Sequence, residues 1–478
     1  MLPRGINANA AGLVNTIGGN LGTFALCPNL VLYYEGMYGA THSLWSTSPN
    51  ASFSEAGKKG MIPVMLLPYK NETYANLSNV VYNSNAADAK EKLYEYVVFQ
   101  DKAYIAKYRG PQGSAANNYK LEMPDQLGGY DVIGVATLLF SNYDSDRANN
   151  YLFKEYVLPE KLEVVSAYMF HTLNTATTSF TDVEKITMKN EVKTIEQGAF
   201  YGCNLLKYVG FGSKVDLVQA NVFEQCTNVI VCTGRADDTG WVSTYNSTMV
   251  PIIFSDSSYA DPSSNHIVFD SSNFDYIIDG GKIQIARFNN FSATKFVVPA
   301  TFTPPASSVK DVYGIADYAF KNKTTLQDFI IEATFITRLN KILSGCSGLK
   351  NITLPFLGTT RDGIGAGLLT NNLNGQNASL VSVTVNYSAG SSIVIAGSSS
   401  NATGAFWTTS NDTNDNFNNL QKITINGPIS GINQYAFRNL KSLKYLVINS
   451  TLAAGSITEI PATSVGSILY ASNNVINI

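Results

Sequence analysis

Charge is scarce in this 478-residue chain. Asp, Glu, Lys and Arg together make up 14% of it, against roughly 25% in an average soluble protein. The net charge is −3, and no basic stripe or helix appears, so polyelectrolyte attraction to nucleic acid is excluded. Cysteine is sparse too, and five in this length cannot frame a disulfide scaffold. No run approaches the ~18 apolar residues needed to span a membrane. Only three histidines exist, His42, His171 and His266. They stand in unrelated segments, without Cys or carboxylates at metal spacing and without a Ser or Cys nucleophile context. The glycines of GFGS (210–213) and GTTRDGIGAG (358–367) precede no Lys-Ser/Thr, which makes them loops and not phosphate cradles. The acidic spots Asp144/Asp146 and Asp237-Asp238 lack an EF-hand or Gly-Asp nonapeptide frame. No cofactor or metal is expected. Asn, Ser, Thr and Tyr fill the space that charge leaves, giving the weakly charged polar surface of many exported proteins. Residues 1–20 lack the apolar stretch of a secretory leader. The expectation is a segment of a longer exported protein.

What is present is a recurring phrase. TIEQGAFYGCNLLKYVGF (194–211) fits neither helical nor simple strand periodicity. It returns as IADYAFKNKTTL (315–326), as INQYAFRNLKSL (432–443) and, more loosely, as IGGNLGTFALCPNL (17–30). Behind it runs a second template, L-x-x-I-x-L, apolar at 0, +3 and +5. Copies start at Phe153, Val183, Leu206, Leu326, Leu349, Leu380, Leu420 and Leu443. Val183 to Leu206, Leu326 to Leu349 and Leu420 to Leu443 are each 23 residues. Longer steps carry Gly/Ser/Asn-rich loops such as NYSAGSS and SNDTNDN. Cys203, Cys226 and Cys346 share one slot of the phrase with Lys323 and Leu440, which reads as a small buried hydrophobe and not an obligatory thiol.

A larger period overlies the first. EYVVFQDKAYIAKYRG (95–110) aligns without a gap to DYIIDGGKIQIARFNN (275–290), and DVIGVATLLF (131–140) to DVYGIADYAF (311–320), both at an offset of 180. FALCPNLVLYYEG (24–36) resembles VFEQCTNVIVCTG (222–234), and each is followed by a Trp (Trp45, Trp241) and an M-x-P run. The expected organisation is the end of one module at 1–90, a complete module at 91–262, and a module with loop insertions at 263–478.

The phrase I-x-x-x-A-F-x-x-C-x-x-L-x-x-I-x-L-P resembles the BspA-type leucine-rich repeat of bacterial and protist surface proteins. The resemblance covers nearly the whole chain, and 23 residues lie within the leucine-rich-repeat range. It implies a repeat solenoid: a right-handed leucine-rich-repeat coil with a parallel β-sheet, few helices, and interspersed β-hairpin-like segments. It also implies recognition or adhesion at a cell surface or outside the cell, with a protein or glycan partner. The family supplies no catalytic residues.

Each coil must turn a loop and return one level higher, with its L-x-x-I-x-L piece as a short strand. No coil buries its apolar wall alone, so stability must come from stacking. Phe200, Phe223, Phe320 and Phe437 are expected to pile up inside, with Leu206, Leu349, Leu443, Cys203, Cys226 and Cys346 in the core. The +2 row (Glu155, Lys185, Tyr208, Asp328, Asn351, Ser382, Lys422, Tyr445) and the +4 row (Val157, Thr187, Gly210, Ile330, Thr353, Thr384, Thr424, Val447) should face out. One reading of these rows is an ordinary exposed pleat of β-branched residues. The other is a flat, weakly charged binding face that includes Lys185, Tyr208, Asn351, Thr353, Lys422, Thr424 and Tyr445, with the tyrosines as anchors.

Three functions compete: a surface recognition protein, a structural spacer, and a polysaccharide-acting enzyme. The enzyme needs two converging carboxylates. The outward rows offer only Glu155 and Asp328, one in each module.

Overall fold

The computed structural model describes residues 88–111, 113–137, 139–141, 152–171, 183–254, 281–305, 307–356, 379–387, 417–432 and 442–449, with shorter pieces at 32–35, 64–67, 80–82, 174–175, 178–179, 267–268, 274–279, 373, 393–395, 437, 440 and 468–470. The looser phrase at 17–30, Trp45, and Asp144 and Asp146 lie outside these residues. The chain divides into two compact units, one of residues 1–250 with 254–265 and one of residues 251–253 with 266–478.

In the first unit the strands Lys120–Glu122, Glu155–Val157, Lys185–Thr187, Tyr208–Phe211 and Ile230–Thr233 lie side by side in that order, all parallel. Register advances by one coil: Lys185 pairs with Tyr208, and Ile186 with Val209. On the opposite wall Val164–Val165, Thr194–Ile195 and Leu217–Val218 form a second parallel ladder. In the second unit the parallel order is Lys295–Val298, Asp328–Ile331, Asn351–Leu354, Ser382–Asn386, Lys422–Asn426, Tyr445–Asn449, Ile468–Tyr470. This is a repeat solenoid built almost wholly of strands.

The inward positions behave as the template requires. Leu206, Leu349 and Leu443 are buried, as are the +3 and +5 residues Val209, Phe211, Ile352, Leu354, Leu446 and Ile448. Phe200, Phe223, Phe320 and Phe437 are buried as well. Rings stack up the first unit from Phe140 to Phe170 (centroids 5.9 Å apart), Phe170 to Phe200 (5.9 Å) and Phe200 to Phe223 (5.6 Å), with interplanar angles of 19–21°. The alternating spacing of the phrase follows from the backbone of this wall. The residue two before each Phe and the residue two after it are left-handed: Tyr168, Gly198, Asn221 and Tyr318 before, and Gly202, Gln225 and Asn322 after. Between these two reversals the Phe N–H points along the stack. Phe170 donates to the Ala199 carbonyl at 2.9 Å, and Phe200 to the Val222 carbonyl at 3.1 Å.

The cysteine slot has its own logic. The Cys203 thiol donates to the Phe170 carbonyl at 3.1 Å, Cys226 to Phe200 at 3.0 Å and Cys346 to Phe320 at 2.9 Å. Each thiol closes a carbonyl of the preceding coil in a dry interior, where an unpaired acceptor would cost about 1–3 kcal/mol. One coil further on, the Thr248 hydroxyl takes the Phe223 carbonyl at 2.7 Å. The Trp-containing exit segment thus continues the stack. Trp241 covers its end, with its indole N–H on the Val215 carbonyl at 3.1 Å and its ring 5.9 Å from Phe211.

The 180-residue offset is visible as geometry. Each unit contains a hairpin, Tyr94–Phe99 with Lys102–Tyr108 and Phe274–Asp279 with Lys282–Phe288. A parallel third strand follows in each, Tyr130–Val135 and Lys310–Ile315. Register slips fall at Glu95/Tyr96 and Ala103/Tyr104 in one and at Asp275/Tyr276 and Ile283/Gln284 in the other. Even the hairpins' acid–base pairing recurs with its parts exchanged. Glu95 binds Arg109, whereas Asp275 binds Arg287 (Nε at 2.8 Å) and Asn289 (2.8 Å).

Candidate binding face

The outward rows of the two ladders differ in chemistry. In the first, charges alternate from coil to coil and neutralise each other. Glu155 lies 4.0 Å from Lys120 and 3.4 Å from Lys185. Beside that row Glu184 bridges Lys154 (3.4 Å) and Lys207 (2.6 Å), and hydrogen bonding to Lys207 holds its carboxyl below the usual range. Glu163–Lys193 (3.1 Å), Glu191–Lys214 (2.7 Å) and Asp216–Arg235 (2.9 Å) repeat the device along other edges. Such pairs are individually weak in water, but they occupy the charges that a partner would need. Lys185 is part of this network.

Tyr208 departs from expectation. It is 3% exposed, and its outward neighbours Gly210, Ile230 and Cys232 are also buried. That corner of the sheet carries apolar or absent side chains and no charge, and it is shielded from water. Tyr208 offers no ring to a partner. Thr187 is likewise buried.

The outer face of the second ladder is open and nearly uncharged. Asn351, Lys422 and Tyr445 are exposed, and Thr353, Ser382, Thr384 and Thr424 are half-buried, as expected for residues standing on a pleat. Register aligns Thr353, Thr384 and Thr424 across consecutive strands. At the far ends of the strands Ser382–Asn386, Lys422–Asn426 and Tyr445–Asn449 runs a row that the six-residue template stopped short of. Asn426 Nδ2 donates to Asn386 Oδ1 at 2.7 Å, and Asn449 Nδ2 to Asn426 Oδ1 at 2.7 Å. The sequence signal for it is the recurring Val-Asn, Ile-Asn, Ile-Asn at 385–386, 425–426 and 448–449. At the ladder's near end Asn351 donates to Asp328 at 2.7 Å. Tyr445 stands 47% exposed at the start of its strand, and Val447 beside it is buried.

Several reactive groups among the described residues are taken up within the fold. Buried Asp317 accepts from Arg338 and from Asn340 (2.7 Å). Burial raises its carboxyl, and Arg338 pulls the other way. Glu196 accepts from the Ala167 N–H at 2.9 Å. Burial pushes the thiols of Cys232 and Cys346 up to about 12 and Cys203 well above its ordinary value, so none is a ready nucleophile. His171, packed against Tyr201 at 4.8 Å, is pushed down to about 4 by burial. Lys323 fills the cysteine slot with its amine 3.1 Å from the Phe291 ring centroid, and burial lowers it to about 8. Asn246, which begins an Asn-Ser-Thr triplet, is buried, and both of its amide atoms bind the Val250 backbone. Among the described residues no group of His, Cys, Asp and Glu is placed to hold a metal ion.

A family model for the BspA-type leucine-rich repeat region matches six copies, over residues 175–234, 281–380 and 408–462. These stretches of the chain are BspA-type leucine-rich repeats. Among solved structures it is similar to a leucine-rich cell surface protein from Faecalibacterium prausnitzii, at 15% identity over 78% of this chain and 96% of that one, with a TM-score of 0.25. It is also similar to the pneumococcal vaccine antigen PcpA, at 13% identity over 80% and 92%, TM-score 0.30. A leucine-rich-repeat protein from Eubacterium ventriosum matches at 13% identity over 79% and 91%, TM-score 0.29. None of the curated proteins matches. Along these repeats the consensus accounts for the inward wall, and the outward rows are what distinguishes one ladder from the other.

Proposed function

We propose that this protein is a non-catalytic recognition or adhesion protein of a cell surface, and that it binds a macromolecular partner through the outer face of its second ladder. The observation that carries the reading is the contrast between the ladders. One outward face is closed by its own ion pairs and by a buried corner, and the other is an open plane of aligned hydroxyl and amide groups with one exposed tyrosine. Solenoids bind along such extended surfaces. The family's surface proteins supply the setting, and the low charge argues against nucleic acid as the partner. Among the described residues no helix is long and apolar enough to cross a membrane.

Solid-phase binding against a panel of host proteins, mucins and cell-surface polysaccharides tests this. Binding to some member should fall at least tenfold in the double variant Lys422→Glu/Tyr445→Ala, and Lys185→Glu should leave it unchanged. Equal binding by the double variant and the native chain would rule the face out.

A further inference from the structure

Resting on that reading, we infer that the partner is an extended, uncharged polysaccharide lying across the strands, over the threonine and asparagine rows of the second ladder. Three observations carry this.

First, these rows hold no charge. Thr353, Thr384 and Thr424 form one line, and Asn386, Asn426 and Asn449 form the next. The lysines of this region, Lys350, Lys422 and Lys444, stand at or before the strand starts, to one side of both lines. An acidic polymer would be drawn to that rim and would leave the uncharged plane idle.

Second, the hydrogen-bonding capacity is that of a sugar binder. In the asparagine ladder the central amide gives one N–H and accepts one. A carboxamide has two donors and two acceptor lone pairs, so each keeps further capacity for a ligand. Threonine hydroxyls both donate and accept. Fixed, repeated donor–acceptor pairs match the vicinal hydroxyls of a pyranose, and their pre-alignment spares ordering entropy.

Third, the spacing is periodic. Strands in a sheet repeat every 4.7–4.9 Å, about the advance of one pyranose unit in an extended chain. Successive sugars therefore meet successive rungs in the same way. The exposed Tyr445 ring, in register with Lys422 on the rim beside the threonine line, provides a stacking surface for a sugar face. A protein partner would instead look for a desolvated apolar centre, and among the described residues of this face Val447 is buried and Tyr445 is the one large apolar group exposed.

The test is affinity gel electrophoresis of the full chain through gels containing hydroxyethyl cellulose, glucomannan or galactomannan, with hyaluronan and polygalacturonate as acidic counterparts. At least one neutral polymer should retard the chain, to the same extent at low and high salt. Thr384→Lys/Thr424→Lys should abolish retardation, and Tyr445→Ala should weaken it about tenfold, with far-UV circular dichroism and the thermal midpoint unchanged. If the lysine pair disturbs the fold, Asn426→Asp replaces it, with the same expected loss. Retardation by acidic polymers alone, or capture of a protein by this face with no neutral polysaccharide bound, overturns the polysaccharide and leaves the recognition face standing. Binding that none of these substitutions changes overturns both.

Discussion

Phe200 shows what a single residue contributes to a stack. Its ring touches the rings of the coils on either side, at 5.9 and 5.6 Å, and it is fully buried. Phe200→Ala leaves a hole that neither neighbour can fill, and should cost roughly 3–5 kcal/mol by urea unfolding. Two residues earlier, Gly198 has φ 61°, and a β-carbon there would run into the Tyr168 ring. Gly198→Ala should therefore destabilise by about 1–3 kcal/mol, whereas Gly281, also left-handed but with open space around it, should tolerate Ala better. His171 sets a pH dependence. Its native pKa of about 4 lies below the ordinary 6.5, so between these values the unfolded chain binds a proton that the native chain refuses. Stability should fall as pH drops through that window, by up to about 3 kcal/mol at 1.36 kcal/mol per unit. The slope should flatten in His171→Phe, measured by urea titrations between pH 7 and 4.

At the scale of the element, the unit of stability is the row that runs across the coils. Glu184 sits between Lys154 and Lys207, and Glu184→Lys places three like charges in line. The variant should lose roughly 1 kcal/mol at low ionic strength and recover most of it in 1 M salt. Much of this was legible in the sequence. The strands that follow Leu206, Leu349 and Leu443 could be read from their spacing, because the 0, +3 and +5 positions are set by which side chains the coil must bury. The rungs Lys120–Glu122 and Lys295–Val298 were not, because Asn118 and Ala293 stand where the leading apolar residue belongs. The backbone pairing of the next coil holds them in place. The burial of Tyr208 was hidden for a related reason. Whether an outward residue meets water is set by groups outside its own strand, and its registered neighbours Ile230 and Cys232 belong to a coil that the L-x-x-I-x-L template does not cover. The asparagine ladder lay one residue past the end of that template.

For the molecule as a whole, repetition of the hairpin and its third strand at a 180-residue offset, each beside a parallel ladder, gives two units with similarly packed interiors and different exteriors. The inward wall is conserved in kind because every coil must bury the same groups. The outward wall is free of that constraint, and here it carries ion pairs in one unit and amide and hydroxyl rows in the other. The proposed face exists only if Thr353, Thr384 and Thr424 stand on consecutive strands in one line. Cysteines at registered neighbours lie within the 4.4–6.8 Å Cα separation of a disulfide, and cysteines two strands apart lie beyond it. The direct measurement is the yield of intramolecular disulfide after mild oxidation, read by mass spectrometry of the digested chain. Thr384→Cys/Thr424→Cys should cross-link nearly completely, despite the 40 residues between the two positions, and Thr353→Cys/Thr424→Cys should not. Equal yields from the two pairs, or none from the first, would contradict the ladder and the binding face built on it.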